Sequence, residues 1–244
     1  TDFHHLTRDV LAFWFNQTPL ISLPSHQIRQ KWFSSEAGFD EIVKNQFGQS
    51  IEAVANGKFL SLKRSPTETL ALIILLDQLS RNAFRGTPSA YSYDELALAL
   101  AKELVDSGQH KTLPLAARWF VYMPYQHAEL LEIQQESVAL FTSLSQDAKT
   151  AEEKSVFNEA LGYAQEHRAV IKKFGRFPYR NAVLGRETSA AEQRYLAERS
   201  QVIVAQPSGY IPIFKNALST LYNIGMGLFS TPARLVDKSV NKIY

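Results

Sequence analysis

Apolar residues recur every three to four positions along most of the chain, the period of helices that lay one face on a core. Phe157, Leu161, Ala164, Val170, Ile171 and Phe174 form one such stripe. Start and stop signals bracket the periodic segments. Ser65-Pro66-Thr67-Glu68 sets a capping serine before a proline at the first helical position, with a glutamate three residues after the cap. Ser92-Tyr93-Asp94-Glu95 and Ser189-Ala190-Ala191-Glu192 repeat the serine-to-glutamate spacing. Gly57, Gly86, Gly108 and Gly175 stand where segments end and a left-handed residue can close the last turn. These signals predict helices near 7–16, 25–33, 36–56, 66–83, 92–107, 114–123, 126–145, 148–174 and 189–198. Val202 to Ala205 offers only a weak short-strand pattern, so the expected fold class is all-α.

The pattern changes character within the fourth segment. Leu70 to Leu76 is apolar on every side, as in a helix buried all round. Asp77 and Arg81 then continue the line of Ile73 at intervals of four, which turns charge toward the core or a cavity. A buried carboxylate needs a partner, and Arg81 on the same face supplies one. Gln78, Asn82 and Arg85 add donors nearby. A second polar cluster spans Arg118 to Glu129, where Pro124 is expected to break the path between two helices. Tyr125, Gln126, His127 and Glu129 would then surround the start of the next helix. A third runs from His167 to Arg186. Its Phe174-Gly175-Arg176-Phe177-Pro178-Tyr179-Arg180-Asn181 and Leu184-Gly185-Arg186 cannot extend one helix and predict a specific loop.

These three motifs, in order, carry a family resemblance. Leu75-Leu76-Asp77-Gln78-Leu79-Ser80-Arg81-Asn82-Ala83-Phe84-Arg85-Gly86, Tyr122-Met123-Pro124-Tyr125-Gln126-His127-Ala128-Glu129 and Phe174 to Asn181 resemble the domain-of-unknown-function family 924 (DUF924) over roughly residues 8–198. The resemblance implies an all-helical, tetratricopeptide-like fold of about nine helices and no established reaction. Tyr179 stands where that family usually has histidine, and Ala128 where it usually has serine. The family's three-motif pattern ends before residue 200, which divides the chain into a helical domain, 1–200, and an extension, 201–244. No 34-residue repeat with the diagnostic Trp, Leu-Gly and Tyr spacing is visible.

Composition narrows the function classes. Of 244 residues, 45% are hydrophobic and 20% charged, which places the chain among ordinary globular proteins. With no cysteine, disulfides, thiolate zinc sites and cysteine nucleophiles are excluded. The net charge of +2 is too small to point to nucleic acid. Lys215, Arg234, Lys238 and Lys242 against Asp237 give the extension +3, leaving −1 on the first 200 residues. Ile213, Ala217, Leu221, Ile224 and Leu228 form an apolar stripe there, opposed by polar residues. Docking on protein and peripheral contact with a membrane surface both fit such a segment. Neither a spanning run nor a secretory leader pattern is present, because Thr1 to Leu11 contains Asp2, His4, His5, Arg8 and Asp9. A cytoplasmic setting is the expectation.

Familiar catalytic signatures are missing. His127-Ala128-Glu129 matches half of a zinc-deaminase motif whose cysteines do not exist here. No HExxH, Walker loop or GxSxG occurs, Gly225-Met226-Gly227 lacks a preceding strand, and His4-His5 reads as a solvated terminus. No metal or cofactor site is expected. The six arginines of the motifs, Arg81, Arg85, Arg118, Arg176, Arg180 and Arg186, outnumber Asp77 and Glu129. If they converge, the surplus suits a carboxylate or phosphate ligand. One reading is therefore a small-molecule pocket, with Asp77, His127 and Glu129 as acid–base candidates and Gln78, Arg81, Asn82, Arg85, Arg176, Arg180 and Asn181 binding a small anionic ligand. The other is a tetratricopeptide-like scaffold for a peptide or protein partner, in which the same residues are internal struts and His127 is structural.

Overall fold

A computed structural model describes residues 2–16, 19–32 and 37–204, and these residues contain helices and no strand. The α-helices are α1 (Phe3–Phe15), α2 (His26–Trp32), α3 (Ala37–Ala55), α4 (Pro66–Ile73), α5 (Ser80–Ala83), α6 (Asp94–Asp106), α7 (Leu115–His127), α8 (Leu131–Asp147), α9 (Ala151–Phe174) and α10 (Ala190–Val204). Val202 to Val204 continue α10, so the short strand is not formed there. The amphipathic stripe and basic residues of the extension beyond Val204 lie outside the described residues. None of the described helices is long and apolar enough to cross a membrane.

Caps explain several boundaries. The Ser65 hydroxyl accepts from the Glu68 amide at 3.2 Å, and the Glu68 carboxylate accepts from the Ser65 amide at 3.1 Å. Ser189 and Glu192 exchange the same pair of bonds at the start of α10. Thr150 and Glu153 do so for α9, which therefore starts at Ala151 rather than 148. The Ser92 expectation is corrected. Its hydroxyl donates to the carbonyl of Pro88 at 3.1 Å, and α6 begins at Asp94 with Tyr93 as an uncapped entry. Gly57, Gly86, Gly108 and Gly175 all take positive φ, between 70° and 88°, as the end-of-helix reading requires.

Pro124 does not break the second cluster. Helix α7 continues through it to His127, and every residue from Leu115 to His127 is buried. Proline removes only one backbone donor, and packing on all sides of α7 holds the remaining turns. Tyr125, Gln126 and His127 therefore close one helix instead of opening another, and Glu129 lies in the connection to α8.

Helix α4 leads into a π-helical turn, Ile74–Leu79, before α5 resumes the ordinary pitch. The Ser80 amide reaches back five residues to Leu75, the mark of one extra residue in the turn. Residues 69–80 are all buried. This segment and α7 form the centre of the molecule. Trp119 and Phe120 of α7 pack with Trp14, Phe15 and Trp32 in a buried aromatic cluster: Trp32 meets Phe120 and Trp119 edge-to-face at ring-centroid distances of 4.7 and 5.9 Å, whereas Trp14 stacks on Trp32. The aromatic content thus serves the core.

Candidate functional site

The two wholly buried helical segments bring their polar ends together. Asp77, in the π turn, is fully buried and lies 2.7 Å from Nδ1 of His127, the last residue of α7. Gln78 donates to the other carboxylate oxygen at 2.5 Å. Arg81 stands 3.3 Å from Asp77, donates to the Asp77 carbonyl, and reaches Asp94 of α6 at 3.0 Å. The i, i+4 pairing of Asp77 with Arg81 is therefore present, and each side chain has a second partner that spacing could not show.

Burial pushes the Asp77 carboxyl up, but His127, Arg81 and the hydrogen bonds from His127 and Gln78 outweigh it and hold it at about 2. Burial, seconded by Arg81, pushes the His127 imidazole down against the opposing pull of Asp77. A charged carboxylate beside a neutral imidazole fixes the tautomer: Nδ1–H donates to Asp77, and Nε2 carries the lone pair. Nε2 has no hydrogen-bond partner among the described residues and is not sealed in the interior.

Three contacts hold the backbone that carries His127. The His127 carbonyl accepts from Arg180 at 3.0 Å. The amide of Gln134, fully buried in α8, donates at 2.7 Å to each of the carbonyls of Gln126 and Ala128 that flank it. These groups satisfy the free end of α7, which has no capping glycine. His167 of α9 donates from Nδ1 to the Tyr163 carbonyl at 2.8 Å, and burial drives its pKa down to about 3.

His127 lines a cleft of about 440 Å³ with Tyr91, Asp94, Glu95, Leu98, Pro124, Ala128, Glu129, Leu130, Arg180 and Leu184 among its walls. Arg180 lies between two rings, its guanidinium carbon 4.7 Å from the centroid of Tyr91 and 4.8 Å from that of Phe177, and donates to Asp94 at 3.1 Å. Glu129 accepts from Arg186 at 2.6 and 3.1 Å and from the Phe177 amide at 2.7 Å, so both its oxygens are occupied. Burial opposes its ionisation, but Arg186 and that amide keep its pKa below the ordinary value.

The expected site residues therefore divide. Asp77, Gln78, Arg81, His127, Glu129 and Arg180 converge on the cleft or directly behind it. Asn82 and Arg85 turn to Asp40 of α3, at 2.9 and 2.5 Å. Arg176 pairs with Glu192 of α10 at 2.7 Å, and fully buried Asn181 accepts from Arg186 at 3.0 Å. Arg118 pairs with Asp147 at 2.8 Å, beside a different recess. The expected surplus of positive charge is corrected: Asp40, Asp94, Asp147 and Glu192 neutralise the arginines that Asp77 and Glu129 leave over. Asp94 was hidden because an acidic residue in the first turn of a helix reads as a dipole partner. Tyr91, Glu95, Leu98 and Gln134 carried no signal beyond ordinary helix and loop composition.

Fold and site define an all-helical protein with a buried carboxylate–imidazole pair at the floor of a cleft. The chain belongs to the family described as bacterial protein of unknown function (DUF924), whose profile matches residues 10–200. A solved structure of a protein of unknown function from Agrobacterium tumefaciens is similar, with 34% identity, a TM-score of 0.67, and coverage of 81% of this chain and 99% of that one. Comparison with curated proteins finds no match.

Proposed function

We propose that the cleft binds a small molecule and that His127 exchanges a proton with it. The observation that carries this reading is the bond from Nδ1 of His127, a residue that lines the cleft, to fully buried, ionised Asp77, with no hydrogen bond to Nε2 among the described residues. A base held this way accepts a proton on Nε2 from a bound hydroxyl, amine or water, and Asp77 stabilises the imidazolium that forms. Arg81 tempers that stabilisation, so the proton is returned rather than trapped. Glu129, with both oxygens occupied, positions the 175–187 loop and takes no proton in this scheme. We also infer that α7, α8 and α9, joined by short connections and packed in sequence, make the tetratricopeptide-like part of the fold.

Thermal unfolding against a metabolite library tests the reading. A compound present at 100 times its dissociation constant should stabilise the wild type by about 2.7 kcal/mol. His127→Gln and Arg180→Gln should lose the shift while still unfolding cooperatively. If no compound shifts the wild type and both variants merely melt lower, the polar network is structural. The scaffold reading then takes precedence.

A further inference from the structure

Two donors on the wall of the cleft have nothing to donate to. Arg180 donates through Nη1 to Asp94 at 3.1 Å and through Nη2 to the His127 carbonyl at 3.0 Å. Its third nitrogen, Nε, is buried and has no hydrogen-bond partner among the described residues. A guanidinium carries donors alone, so only an acceptor can satisfy that N–H. A buried donor left unpaired forfeits its hydration without return. Tyr91 carries the second donor. It is half-buried, lines the same cleft as Arg180, and its hydroxyl makes no hydrogen bond among the described residues. Burial and the neighbouring Tyr179 raise its pKa above the ordinary phenol value, so the proton stays in place. The guanidinium carbon of Arg180 lies over the Tyr91 ring, 4.7 Å from its centroid, which makes the two side chains immediate neighbours.

We infer that Tyr91 and Arg180 form a subsite for an acceptor oxygen of the ligand, a carbonyl or a carboxylate, which receives hydrogen bonds from the Tyr91 hydroxyl and from Nε of Arg180. The half-buried Tyr91 is the accessible member of the pair, and the oxygen meets its hydroxyl first. Acceptors line the cleft as well, His127 and Glu95 among them. A ligand without an acceptor oxygen leaves the donor pair unsatisfied, and the cleft selects against it on that ground. The assignment rests on the reading of the cleft as a small-molecule site and names one group that its ligand carries.

Acetamide, acetate and methylammonium, three heads without a body, test it. Each is titrated into the full chain while the Nε–H resonance of Arg180, assigned by through-bond correlation to its own backbone, is followed by NMR. Acetamide or acetate should move that resonance downfield to saturation, and methylammonium should leave it in place. The tighter of the two oxygen probes tells a carbonyl ligand from a carboxylate. Tyr91→Phe keeps the ring against Arg180 and removes one donor, so it should weaken the oxygen probe about fivefold, the worth of one hydrogen bond. A resonance that neither oxygen probe moves, or oxygen binding indifferent to Tyr91→Phe, overturns the subsite. The library measurement judges the cleft separately: a compound that stabilises the wild type and Tyr91→Phe equally keeps the cleft and discards the donor pair.

Discussion

Asp77 and His127, fifty residues apart, meet at 2.7 Å, the first immediately after the apolar run from Leu70 to Leu76 and the second at the C-terminal end of α7. Neither segment has an exposed face on which to place a charge. A carboxylate there needs a partner inside the core, and the imidazole supplies one. Asp77→Asn keeps the shape and removes the charge from a pocket that also holds Arg81. The expected cost is about 3 kcal/mol, a fall of roughly 6 to 12 °C in melting temperature for a domain of this size. Nitrogen NMR should show the proton of His127 redistributing from Nδ1 to Nε2, an effect that simple loss of packing would not produce.

Acid should destabilise the fold in two stages. His167 and His127 are neutral in the fold because burial disfavours the imidazolium, with His167 at about 3, whereas the unfolded chain takes up those protons near pH 6.5. The unfolded state then binds more protons, so this stability is complete above pH 6.5 and is lost as pH falls from there toward 3. Asp77, lowered from 3.8 to about 2, acts in the same direction at lower pH and contributes about 2 kcal/mol that disappears between roughly pH 5 and 2. Urea unfolding at pH 7.5, 5.5 and 4.5 should show a steady decline, and His167→Gln should flatten the part between 6.5 and 4.5.

Glu129 ties the connection after α7 to the loop after α9 through Arg186 and the Phe177 amide. Glu129→Gln cannot serve both with a charge, and a loss of about 1 to 3 kcal/mol is expected. Hydrogen exchange should locate it. The Phe177 amide should exchange faster while amides of α4 keep their protection.

The capping assignments can be tested against one another. Ser65→Ala and Thr150→Ala each remove half of a reciprocal pair and should cost about 1 kcal/mol, or 2 to 4 °C. Ser92→Ala should change the melting temperature by much less, because Ser92 caps no helix amide.

Much of the helical layout was legible because burial of one face writes a period into the sequence, and because Ser65 and Ser189 carry their glutamates at fixed spacing. Pro124 misled because the local rule against proline inside a helix was overridden by packing around α7. The site was legible in part. Asp77 and Arg81 were found by spacing, and His127 by its chemistry, but their convergence depends on how α4 and α7 cross in the core. The partners Asp40, Asp94, Asp147 and Glu192 looked like ordinary helix charges, so the arginines appeared unbalanced. The π turn left no mark either, since residues 67–83 contain neither glycine nor proline.

That turn sets the angular phase of everything after it. Each residue of an α-helix advances about 100° around the axis, so the extra residue between Ile74 and Leu79 rotates Arg81 and Asn82 by that amount relative to the apolar stretch before them. Arg81 thereby faces Asp94 and Asn82 faces Asp40. A single deletion that restored regular pitch would keep the same side chains in the same order and aim them at the wrong neighbours, so the site depends on a count of residues as much as on their identity.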